Sequence, residues 1–167
     1  SATIRLFQGK YTNEAGIPPV KKGLLMCYTM GNLKDIKTNN SILDPGEIKK
    51  YTSNLNEYPL ALDVALPLFS WYVLFRDNQY TGLVQDSNGE VIRACSAAAG
   101  KNRFQIKADT VINGLVLKEG DILRYENCSY EDIVKAAAIL KEKINNKHFR
   151  LSLYHLDSLI LSKYSTH

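Results

Sequence analysis

Leu60-Ala-Leu-Asp-Val-Ala-Leu-Pro-Leu-Phe-Ser-Trp-Tyr-Val-Leu-Phe-Arg76 is the most apolar run of the chain. Leu60 to Leu66 barely alternates between apolar and polar, the pattern of a strand buried on both faces, with Asp63 its single charge. Pro67 has no N–H for a sheet ladder, so regular pairing is expected to weaken there. Phe69, Ser70, Trp71 and Tyr72 then fall just past the carboxyl end of that strand, where α/β folds bind ligands. An aromatic cluster at that place suits the apolar face of a sugar ring. The same rings serve equally to close a core.

Upstream, Gly23 to Tyr28 reads as a second buried strand and Thr3 to Gln8 as a first. Between the first two lies a loop, Lys10 to Lys22, in which Gly16 and Pro18-Pro19 preclude a long helix. Asp44 is a good N-cap, Pro45 suits the first helical position, and Glu47 completes a capping-box pattern. Ile48, Tyr51 and Leu55 recur at helical spacing before Pro59. Strand, helix, strand in this order predicts parallel strands. A chain that opens inside a strand at Ser1 is expected to be a fragment of a longer protein.

Downstream, Arg76 to Gly120 changes rhythm. Short β-like pieces, Tyr80 to Gln85, Glu90 to Cys95 and Arg103 to Lys107, alternate with turns such as Asn113-Gly114. This predicts a β-rich antiparallel insertion over residues 77–120 within a single domain spanning 1–167. Asp121 to Tyr125 reads as a short strand. Ser129 caps a second helix, with Ile133, Ala136, Ala137, Leu140 and Ile144 as its apolar stripe. Arg150 to His155, or a little beyond, is the last strand. The architecture expected is α/β: half of a (β/α)8 barrel, strands five to eight, with a small antiparallel insertion.

Composition narrows the function classes. The 167 residues are 45% hydrophobic and 23% charged with a net charge of +4, ordinary for a globular chain. The basic residues sit in pairs offset by nearby acids, with no Arg-rich run or aromatic-basic stripe, so no nucleic acid is expected as a partner. No apolar stretch of membrane-spanning length and no signal-peptide pattern stands in these residues. Cys27, Cys95 and Cys128 lack metal spacing; Cys27 reads as a buried thiol, and a Cys95–Cys128 bridge is a second possibility. His148, His155 and His167 lack a zinc pattern, and no phosphate loop or dinucleotide fingerprint occurs, so no metal and no cofactor are expected.

The strand ends gather Gln8, Tyr28, Trp71, Arg76, Arg124, Glu126, His155 and Asp157. A carbohydrate site needs carboxylates to handle protons and aromatics to stack on rings. Glu126 and Asp157 are the best carboxylates for that work. Against this, Glu126 could pair with Arg124 or sit near the start of the following helix, and Asp157 could cap a terminal turn. His155 near Asp157 suits an oriented imidazole, but without a nucleophile elbow a hydrolase triad is not expected. Asp63 reads equally as a structural ion pair with Arg5 or Arg124. The expected ligand-binding set is Gln8, Tyr28, Trp71, Arg124, Glu126 and His155.

Gly-Leu-Leu-Met-Cys-Tyr, Gly23 to Tyr28, resembles the sixth barrel strand of the chitinase-like glycoside hydrolases of family eighteen, which carries Met-x-Tyr-Asp. Asp63 to Trp71 resembles their seventh strand, an apolar run into an aromatic turn, and Tyr72 to Gly120 the insertion that follows it. Thr3 to Gln8 and Arg150 to Asp157 would then be strands five and eight. The chain also resembles a group of uncharacterised bacterial envelope proteins with a barrel of this type, through Thr3 to Gln8, Asn40 to Leu43, Leu62 to Pro67 and Tyr154 to Asp157. The resemblance implies a carbohydrate-active parent in the cell envelope or secreted, or a non-catalytic glycan-binding or structural envelope protein. It departs where Thr29 replaces the sixth-strand Asp and Tyr154-His155 the eighth-strand Trp, and the family's Asp-x-Asp-x-Glu acid motif is absent. Activity is therefore not expected from this chain alone, and no catalytic residue is assigned. An open half-barrel exposes two sheet edges, so a homo-oligomer or pairing with a missing amino-terminal half is expected.

Overall fold

The computed structural model describes residues 1–85, 89–146 and 148–155. In chain order the elements begin β1 (Ala2–Arg5), α1 (Leu6–Lys10), α2 (Thr12–Ala15), β2 (Lys22–Met26), α3 (Pro45–Tyr51) and β3 (Ala61–Pro67). They continue β4 (Trp71–Arg76), β5 (Gln79–Val84), α4 (Glu90–Cys95), β6 (Ser96–Gly100), β7 (Arg103–Ile106), β8 (Thr110–Ile112) and β9 (Leu115–Leu117). β10 (Ile122–Glu126), α5 (Tyr130–Lys143) and β11 (Leu151–Tyr154) complete the described set. Two compact units emerge. The first holds residues 1–31, 42–68 and 128–155; the second holds 32–41 and 69–127.

The first unit is built on a parallel sheet in the order β1-β2-β3-β11. Each strand lies beside the one that precedes it within the unit. The registers set Ile4, Leu25, Val64 and Leu151 in one row. The first three of these are fully buried, on the face that the helices cover, while Leu151 at the sheet edge is 45% exposed. α1, α3 and α5 pack in sequence, with α1 against β2 and α5 against β3. Side chains alternate along a strand, so Thr3, Arg5, Leu24, Met26, Asp63 and Ser152 belong to the other face. They are half-buried or exposed. Gly23 sits where β2 is squeezed between its neighbours: a Cβ there would meet Ile4 Cγ1 and Leu62 Cδ2 at 2.9 Å each.

The helix starts follow their caps. Asp44 accepts from the N–H groups of Gly46 and Glu47 at 2.7 and 3.3 Å, with Pro45 at the first position. Glu47 itself turns to Lys50 at 3.4 Å rather than closing a reciprocal box. Ser129 accepts from the Asp132 N–H at 3.1 Å and opens the fourteen-residue α5.

The second unit is an antiparallel sheet in the order β5-β4-β10-β7-β6, with the β8–β9 hairpin beside it in sequence. Tyr72, Leu74, Val84, Ile92, Ile106, Ile112, Leu117 and Leu123 form its core on one face of the sheet. Asp77-Asn78 and Asn113-Gly114 carry the positive φ values that tight hairpin turns require.

Several expectations need correction. The first strand stops at Arg5, and Gln8 lies in α1, because Gln8 Oε1 accepts the Arg5 N–H at 2.8 Å and closes a helical turn there. Glu90–Cys95 is a helix rather than a β-like piece, and Ser96–Gly100 after it is a strand. The β-rich part is wider than 77–120: it runs over 69–127 and takes in 32–41. β10 pairs antiparallel with β4 and β7, so it is a strand of the antiparallel sheet and not of the parallel one. No disulfide joins Cys95 and Cys128, which are thiols, as is the buried Cys27. Asp63 pairs with Lys22 at 2.8 Å and accepts the Arg150 N–H at 2.7 Å, instead of meeting Arg5 or Arg124.

Candidate functional site

The carboxyl ends of the parallel strands carry two of the groups expected from sequence, Tyr28 and His155, and add Tyr154 between them. Tyr28 follows β2, and its ring stacks on that of Tyr154 at the end of β11, centroids 5.4 Å apart and 6° from parallel. His155 stands edge-on to Tyr154 at 5.4 Å, across a cis peptide bond. Burial raises the pKa of the Tyr28 phenol, and the neighbouring Tyr154 and Cys27 raise it further, so the ring stays neutral through the physiological range.

Beside Tyr28 a cavity of about 120 Å³ opens among Arg5, Leu6, Phe7, Met26, Thr29, Met30 and Tyr51. Arg5 is the last residue of β1 and Met26 the last of β2, and the two are paired in register. Phe7 is 47% exposed. Thr29 holds a positive φ of 55° and its hydroxyl donates to the Tyr28 carbonyl at 2.7 Å, which fixes the chain as it leaves β2. A larger hollow of about 360 Å³ lies at the other end of the sheet, among Tyr58, Leu60, Ala61, Ile144 and Asn146. It borders the amino end of β3, the wrong end for ligand binding in an α/β fold.

No family model, curated protein or solved structure matches the chain.

Trp71, Arg124 and Glu126 meet in the second unit. Glu126 Oε1 accepts from Arg124 Nε at 2.7 Å. Its Oε2 accepts from Trp71 Nε1 at 2.8 Å, from the Ser41 N–H at 3.0 Å and from the Ser41 hydroxyl at 2.5 Å. Arg124 donates its remaining arms to the carbonyls of Asp35 and Leu33 at 2.6 and 3.0 Å, and lies over the Phe75 ring at 5.0 Å. Both side chains of the pair are fully buried. The pairing weighed from sequence as the alternative for Glu126 is the arrangement present, and it ties segment 32–41 to the sheet. Arg103 and Asn102 strengthen the tie by donating to the carbonyls of Ile36 and Asn39 at 2.6 and 2.9 Å. Trp71 is half-buried with its ring 5.1 Å from that of Phe69, and its one polar edge is committed to Glu126.

Of the other expected residues, Gln8 spends its carbonyl oxygen on the turn of α1. Arg76 pairs with Asp121 at 2.7 Å. Asp157 and His167 lie outside the described residues. Arg5, Phe7 and Tyr51 were not among the expected ligand-binding residues. Arg5 and Phe7 stood inside a segment read as strand, and their place at its end became visible only once α1 was seen to begin at Leu6. Among the described residues no group of three His, Cys, Asp or Glu side chains stands close enough to hold a metal ion, and no helix is long and apolar enough to cross a membrane.

Proposed function

We propose that the first unit is strands five to eight of a barrel of the carbohydrate-active kind and that it binds a glycan at the carboxyl ends of β1, β2 and β11. The observation that carries this reading is the Tyr28–Tyr154 stack beside the Arg5–Tyr51 cavity, at the ends of parallel strands laid down in sequential order. A doubly wound sheet reverses its strand order at the ligand crevice, whereas a barrel adds each strand beside the last. The sheet face away from the helices, with Arg5, Leu24, Met26 and Asp63 half-buried or exposed, suits the inner wall of such a barrel.

Binding is favoured over catalysis by this chain. Most glycoside hydrolysis uses a pair of carboxyl groups, and the substrate-assisted families still use a carboxylic acid; the residues around the cavity include none. The test is titration of the isotope-labelled chain with a panel of neutral and acidic oligosaccharides, alongside an assay for released reducing ends. Amide shifts concentrated at Met26–Met30 and at Tyr154, weakened by Tyr28→Ala, are the result expected. Reducing ends released by this chain alone would favour the enzyme. A panel that moves no resonance would leave the unit a structural piece.

A further inference from the structure

The cavity beside Tyr28 holds more than rings. Its one charged lining residue is Arg5, exposed at the end of β1. Among the described residues no carboxylate pairs with that guanidinium; the Arg5 backbone N–H, not its side chain, is the group that Gln8 engages. Two further cations lie against Tyr51, one of the lining residues. Lys10 Nζ and Lys50 Nζ each lie 5.4 Å from the centroid of the Tyr51 ring. Lys10 donates to the Lys50 carbonyl at 3.1 Å, and Lys50 is drawn by Glu47 at 3.4 Å, so Glu47 offsets one of the three positive charges. The cavity thus combines aromatic and thioether walls with the exposed guanidinium of Arg5.

We infer that this cavity takes an anionic sugar, a ring bearing a carboxylate or a sulfate, with Arg5 as the group that holds the anion. This deepens the glycan reading above and rests on it. A guanidinium offers two parallel N–H donors that match the two oxygens of a carboxylate or sulfate, a fit a lysine ammonium lacks. Phe7, Tyr28 and Tyr51 offer ring surface to the C–H groups of the sugar. A neutral sugar would leave the guanidinium facing only water. The carboxylated and sulfated rings share one chemistry, and the experiment separates them.

The full chain, isotope-labelled, is titrated with tetragalacturonate, with a sulfated galactose tetrasaccharide, with neutral galactotetraose and with a short polyglutamate. Shifts at Arg5, Met26–Met30 and Tyr51, with at least one acidic sugar bound about tenfold or more tighter than the neutral one, are expected from a charge-assisted bidentate contact. Arg5→Gln brings the acidic sugar to the neutral level while Arg5→Lys recovers part of the loss, and thermal melts of both variants match the parent because the side chain is exposed. Preference for one acidic sugar over the other names the anion. Equal affinity for acidic and neutral sugars overturns the inference and leaves the glycan reading standing. Polyglutamate bound as tightly as the acidic sugars, or Arg5→Gln without effect, overturns it as mere charge attraction. Silence with all four probes overturns both readings.

Discussion

Glu126 accepts from Arg124, Trp71 and Ser41, and none of these contacts reaches solvent at its carboxylate. A buried ion pair contributes little net stability over a well-packed apolar pair, yet breaking it from one side strands the other charge. Glu126→Gln is therefore expected to destabilise the fold by about 3–5 kcal/mol, measured by urea denaturation, with sugar titrations at the Tyr28 cavity unchanged. Loss of sugar binding at unaltered stability would instead return Glu126 to the ligand. Asp121 gives a pH signature. Burial by itself would raise its pKa, but the hydrogen bonds from Arg76 and from the Lys118 N–H outweigh burial and hold the carboxyl below its ordinary range. Because the folded value lies below the unfolded one of about 3.9, the contribution is present above roughly pH 4 and is lost as pH falls through the folded value. Asp121→Asn should flatten that part of the acid-unfolding profile, as followed by circular dichroism between neutral pH and pH 2.

At the scale of elements, the strands are held by close approach and the helices by their first turns. Gly23→Ala places a methyl against Ile4 and Leu62, both buried, and should cost about 1–3 kcal/mol as the row reopens. Ser129→Ala removes the acceptor at the start of α5 and should cost about 1 kcal/mol; thermal melts of the two variants decide both. These elements were legible beforehand for physical reasons. The continuous apolar run of β3 matches a strand covered on both sides, and the Asp44-Pro45 and Ser129 starts are local chemistry that needs no tertiary partner. Leu6 to Lys10 was not legible, since Phe7 and Gln8 extend the alternation of β1 and only the Gln8 side chain bonding back to Arg5 ends it. Glu90–Cys95 carries Val91 and Ile92, which favour strands, and folds as one short helix because Ile92 enters the core of the second unit. The pairing partners of β10 lie tens of residues away, so nothing near Arg124 marks the sheet to which it belongs. The site was half legible: Tyr28 and His155 were placed at strand ends, whereas the cavity that Arg5 and Tyr51 share depends on α1 and α3 meeting.

At the scale of the molecule, the parallel sheet ends, among the described residues, at β1 on one side and β11 on the other. Leu151, Leu153 and Tyr154 on β11 are 45%, 50% and 50% exposed. Sheet edges with exposed leucines recruit another strand, so light scattering of the chain is expected to give a dimer. Leu153→Lys should shift it towards monomer, and a chain that is monomeric at every concentration would show that these edges are tolerated bare.

Segment 32–41 is fastened by groups that the ribosome supplies much later, since Arg124 lies 91 positions after the Leu33 carbonyl it grips. During synthesis this latch exists long before its catch. A nascent chain halted short of residue 124 would present the loop unfastened to any protease in reach, and deleting residues 69–127 to isolate the parallel sheet would leave the same loop dangling. The antiparallel unit is therefore not a removable ornament. Contacts this remote in sequence close slowly, which places the fastening of the loop among the last steps by which the chain matures.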